Sequence, residues 1–105
     1  MLTRSQQNRI RNVIRKVHEW KLAESLAPVE RAIQDWRAGQ RPVFDIDDEI
    51  HQHQMRAKRY WGLYANTAAS SHEIAYILKE AFDLGLIDEK EHNELLAIWR
   101  QPRRK

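Results

Sequence analysis

Apolar residues recur along this chain at three- and four-residue spacing rather than in alternation, the pattern of helices with one buried face. Ile10, Val13, Ile14, Val17 and Trp20 fall within an arc of about 120° when each residue turns 100°. With Thr3 or Ser5 as N-cap, they predict a first helix running to about Leu26. Val29, Ala32, Ile33 and Trp36 then follow at i, i+3, i+4 and i+7. That spacing predicts a short second helix, stopped by Gly39 and opened by Pro28, unless Pro28 only kinks the first, because proline cannot donate to the carbonyl four residues back.

The stretch "GQRPVFD" reads as a loop, with Asp45 as N-cap of a third helix through "IDDEIHQHQMRAKRYWGLYAN", whose apolar line is Ile46, Ile50, Ala57, Trp61 and Tyr64. "SSHE" is a capping box from Ser70 to Glu73 and predicts a fourth helix with Ile74, Ile77, Leu78, Ala81 and Phe82 on one face, ending at Gly85. "DEKE" opens a fifth, carrying Leu95, Leu96, Ile98 and Trp99, and Pro102 ends it. Short connections make successive helices antiparallel neighbours. The expected fold class is therefore all-α, a compact antiparallel bundle of four to five helices, with no strand, internal repeat or low-complexity segment.

Composition fits one domain. Of 105 residues, 24 are Leu, Ile, Val or Phe and four are Trp, enough for a single core over residues 1–101, with 102–105 as a basic tail. The absence of cysteine removes disulfides, thiolate ligands and thiol nucleophiles, and cytoplasm is the simplest compartment. The opening residues do not read as a secretion signal. "YWGLYANTAASSH", the longest stretch without Lys, Arg, Asp or Glu, is too short and polar for a membrane span. Charge is segregated: residues 1–41 hold nine Lys/Arg against four Asp/Glu, residues 42–94 five against eleven, and residues 95–105 four against none. Such ends suit an anionic partner, or an acidic middle in the same or a second copy.

The densest group of chemically capable side chains is "FDIDDEIHQHQ", with Asp45, Asp47, Asp48, Glu49, His51 and His53. On a helix His51 and His53 lie about 200° apart and cannot grip one ion together. The carboxylates sit in the first turn, where they favour the positive end of the helix dipole. Only Glu49 lies near His53, which falls on the apolar line. "DEIH" and "EKEH" resemble the Glu-x-x-His ligands of di-metal bundles, but Asp48 and His51 face away from their helix's apolar side and Glu89 is in a first turn. Neither a metal ligand set nor a cofactor is assigned. Glu49, His53 and the inward-facing His92 remain candidates for a pocket.

Two surfaces have the composition of binding sites. Arg4, Arg11 and Arg15 fall within about 40° of one another on a flank of the first helix distinct from Ile10, Ile14 and Val17. With Arg103, Arg104 and Lys105 they form a nucleic-acid candidate, although no recognition helix, RNP-like motif or zinc-finger spacing accompanies them. Tyr60, Trp61, Tyr64 and Tyr76, with Arg56, supply the aromatic and guanidinium chemistry of a protein interface, and Gly62 among them suggests close approach of another helix. No glycine-rich phosphate loop, nucleophile elbow or His-Glu-x-x-His occurs, and capping explains Ser70, Ser71 and His72. The expectation is a binding module for protein, self-association included, rather than an enzyme, with nucleic acid as the second class of partner and no membrane.

Overall fold

The computed structural model describes residues 2–65 and 73–100. Four α-helices follow one another: α1 Arg4–Arg37, α2 Val43–Tyr60, α3 Glu73–Asp83 and α4 Glu89–Trp99, with a π-helical turn Trp61–Ala65 continuing α2. No strand occurs among the described residues. Thr3 is the N-cap of α1: its hydroxyl accepts the Gln6 N–H at 3.1 Å while the Gln6 side chain accepts the Thr3 N–H at 2.9 Å.

At Pro28, where the alternatives are a break or a kink within one helix, the helix is continuous. α1 runs 34 residues, about 51 Å at 1.5 Å per residue, with Pro28 in its interior. Pro28 leaves the Glu24 carbonyl without its usual donor. The next carbonyl, that of Ser25, accepts from Arg56 Nη2 at 3.0 Å, so α2 supplies a donor beside the disturbed turn. Val29 and Ala32 beyond the proline are buried, and that packing holds the helix together.

α1 closes at Gly39, whose φ of +74° only glycine adopts at little cost and whose N–H bonds the Trp36 carbonyl at 3.0 Å. The cap of α2 is Pro42, not Asp45. Pro42 has φ −74°, already suited to a helix start, and its carbonyl accepts the Asp45 N–H at 3.1 Å. The Asp45 carboxylate is instead taken by Arg41 Nε at 3.1 Å. Asp88 does cap α4, accepting the Glu91 N–H at 2.7 Å. The proposed cap at Ser70 lies outside the described residues, as do Arg103, Arg104 and Lys105.

The chain is all-α but more extended than a compact bundle. Its extents are 61 × 25 × 18 Å and its radius of gyration is 17.9 Å, against about 13 Å for a compact domain of this length. The reason is an unequal division of the long helix. The first half of α1 makes the core with α3 and α4: Ile10, Val13, Ile14 and Val17 pack with Tyr64, Ile74, Ile77, Leu78, Ala81, Ile87 and Leu95. We call this the head. Beyond Lys21, which pairs with Glu80 of α3, the second half of α1 lies against α2, which runs along α1 and the π turn and makes no helix–helix contact with α3 or α4. No residue of α2 is buried. This two-helix arm ends in the 38–42 turn.

Candidate interaction face and the polar contacts that hold it

Polar contacts set how α2 lies on α1. Ser25, buried at the helix pair, holds two α2 side chains with one hydroxyl: Arg56 Nε donates to Oγ at 2.7 Å, and His53 Nδ1 lies 2.9 Å from it. The arrangement is satisfied when the hydroxyl donates to Nδ1 and the imidazole carries its proton on Nε2. Ser and His are thus hydrogen-bonded without a carboxylate behind the imidazole, and the hydroxyl is buried between helices and occupied by a guanidinium. It acts as a strut between the two helices.

At the base of the arm the π turn carries a second set of contacts. The buried His18 ring meets Trp61 edge-on at 4.4 Å and stacks on Tyr64 at 5.7 Å. Its Nε2 has no hydrogen-bond partner among the described residues, and burial pushes its pKa below the usual histidine value. Tyr64 donates to Glu80 at 2.8 Å, and Lys21 Nζ pairs with the other Glu80 oxygen at 3.0 Å. Burial first, then the Glu80 carboxylate, raises the Tyr64 phenol well above its usual range, so it stays a donor. At the tip, Arg41 bonds Asp45 and lies 3.7 Å from Asp35, and its pKa is raised by that hydrogen bond.

Together these contacts fix the register of the hairpin. Ser25 stands opposite His53 and Arg56, and His18 opposite Trp61. Level by level, Trp36 therefore pairs with Val43, Val29 with Ile50 and Leu22 with Ala57. On α1, Leu22, Leu26, Val29, Ile33 and Trp36 repeat at spacings of four and three, and at 100° per residue they share a stripe about 80° wide. On α2, Val43, Ile50, Ala57 and Trp61 lie within about 40°. In an antiparallel pair both stripes turn to the same side of the seam. They form one apolar face along the arm, which α3 and α4 leave open because they pack on the other flank of α1. Exposures are 48% for Leu26, 45% for Trp36, 51% for Val43, 39% for Ile50 and 56% for Trp61.

The structure separates the residues singled out from the sequence. Trp61 lies on the arm face, while Tyr76 is exposed on α3 in the head. Tyr60 is half-buried against the core, Tyr64 is buried in it and Arg56 is engaged by Ser25. Gly62 has open space where a Cβ would point, so none of the described helices approaches it closely. His53 bonds Ser25 rather than Glu49, and His92 is buried against Phe82 with rings stacked at 5.0 Å. Since α2 and α4 do not touch, Glu49, His53 and His92 do not converge. No group of three or more His, Asp or Glu among the described residues is arranged to hold a metal ion. Arg4, Arg11 and Arg15 are all exposed, whereas Arg9 on the other flank pairs with Glu94 of α4 at 3.1 Å.

Sequence reasoning missed Ser25, His18, Lys21 and Glu80. The signal for two was present: His18 is four residues beyond Ile14, about 40° past the edge of the apolar arc, and Ser25 sits four and seven residues before Val29 and Ala32. No protein-family model, curated protein or solved structure matches the chain. No helix of the described residues is long and apolar enough to cross a membrane.

Proposed function

We propose that this protein acts by association rather than catalysis, through the apolar face of its arm, and that a second copy is what the face takes. The observation that carries the reading is the shared stripe: five large side chains, two of them tryptophan, on one side of a helix pair and each about half exposed among the described residues. At about 200 Å² for a large side chain fully in water, they leave on the order of 500 Å² of apolar surface exposed, at the upper end of what a monomer presents as its largest patch. A stable interface takes about 800 Å² from each partner. The stripe supplies on the order of 500 Å² of that, and pairing two such arms gives the four-helix arrangement that buries two-helix stripes.

The Ser25, His53 and Arg56 contacts support this reading because they hold both stripes on the same side before any partner arrives. A rigid, preformed face loses less entropy on binding. Sedimentation equilibrium from low micromolar to near-millimolar protein tests the proposal. The expected result is a reversible monomer–dimer equilibrium; a single monomeric species throughout that range refutes it.

A further inference from the structure

We propose that the outer side of α1 in the head, with Arg4, Arg11 and Arg15 in a row, binds the sugar–phosphate backbone of nucleic acid without reading its sequence. The activity belongs to the head alone and does not depend on self-association through the arm.

Between Arg4 and His18, α1 holds five cations, Arg4, Arg9, Arg11, Arg15 and Lys16, and no carboxylate. Ile10, Val13, Ile14 and Val17 commit one side of this stretch to the core, which leaves the opposite side to water. There Arg4, Ser5, Asn8, Arg11, Asn12 and Arg15 are all exposed and, at 100° per residue, fall within about 120°. Arg9, at the edge of this side, is neutralised by Glu94 of α4 at 3.1 Å. Arg4, Arg11 and Arg15 make no ion pair among the described residues, and the first carboxylate of α1 is Glu19, one turn beyond Arg15. The row is therefore unneutralised positive charge held on a rigid helix, and charge complementarity asks for an anionic partner.

The chemistry around the row selects the kind of anion. The three arginines span about 16.5 Å along the helix, in steps of about 10.5 and 6 Å. A duplex strand offers a phosphate about every 3.4 Å along its axis, so each guanidinium finds one within reach when the helix lies along the strand. Between the arginines stand Ser5, Asn8 and Asn12, whose side chains belong with arginine to the set that contacts phosphate and sugar. No large apolar side chain from Thr3 to Lys21 is exposed; those of α1, Leu26 and Trp36, belong to the arm. This side of the head thus has nothing to insert among lipid chains, and it lacks the aromatic and aliphatic anchors of a protein interface.

Fluorescence anisotropy tests the proposal, with labelled duplex and single-stranded oligonucleotides of two unrelated sequences titrated with the full chain at several salt concentrations. Three phosphate contacts give a slope of about −2.7 in log affinity against log salt on duplex and about −2 on single strand; on duplex this is a loss of about 40-fold between about 50 and 200 mM salt. The two sequences are expected to bind equally within about threefold. Arg4→Gln, Arg11→Gln and Arg15→Gln together are expected to weaken binding by at least about tenfold at low salt and to reduce the duplex slope by about 2.7. Arg31→Gln, Arg37→Gln and Lys58→Gln together remove the same charge from exposed positions of the arm, and are expected to leave affinity within about twofold. Circular dichroism and thermal melting of both triple variants check that the fold is unaltered. Binding of either nucleic-acid form with these dependences supports the proposal. No binding at the lowest salt, a strong preference for one sequence, or equal losses in the two triple variants overturns it. Binding instead to phosphatidylserine-containing vesicles, abolished by the head substitutions, assigns the row to a membrane surface and likewise overturns it.

Discussion

Leu26→Ala separates what the arm face contributes to folding from what it contributes to association. The side chain is 48% exposed, so about half of its apolar contact lies within the arm and half faces outward. Alanine removes three carbons, at about 0.8 kcal/mol each when fully buried. Roughly 1.2 kcal/mol is then lost from the monomer and a similar amount from each side of the interface. Because a two-fold interface contains the position twice, dimerisation weakens by about 2.4 kcal/mol, a factor of roughly 60 in dissociation constant. Helix propensity does not confuse the result, since alanine is the better helix former. Urea denaturation at low protein concentration reads the first quantity and sedimentation equilibrium the second. A variant that loses about a kilocalorie of monomer stability while keeping its dimer dissociation constant within twofold would refute the reasoning, because Leu26 would then be exposed without being covered by a second copy.

Two further outcomes follow from the polar contacts. Ser25→Ala removes the oxygen shared by Arg56 and His53 while the Arg56 Nη2 bond to the Ser25 carbonyl survives; a loss of about 1–2 kcal/mol in chemical denaturation is expected, and no measurable loss would mean that the strut does not hold the hairpin. His18 makes stability fall on acidification: its pKa is lowered in the folded protein, so below the unfolded value of about 6.5 the unfolded chain takes up a proton that the folded chain resists. The unfolding free energy, flat in this respect above that pH, should decline from there downward, and His18→Phe should remove that part of the slope. An identical pH profile for the two proteins would show that the buried imidazole is not its source.

What the sequence determined by itself is what depends on neighbours a few residues apart. Helical periodicity, a helix start at Thr3 or Ser5 and another in Asp88 to Glu91, the stop at Gly39 and the placing of His51 and His53 on opposite sides of one cylinder all follow from backbone geometry and the fixed direction of each Cβ. The segregation of charge, basic at the ends and acidic in the middle, was equally legible. Tertiary structure decided the rest, because it depends on residues far apart in the chain. Whether Pro28 ends a helix turns on the balance between one lost hydrogen bond and the packing beyond it, and that balance includes Arg56, 28 positions away in sequence. Burial of His18 required Trp61 and Tyr64 to close over it from the π turn. The division into head and arm arose because α3 and α4 are short and cover only the first half of a helix about 51 Å long. A stripe read from periodicity says that a side chain needs cover; only the packed helices show which stripes have found it and which still face water.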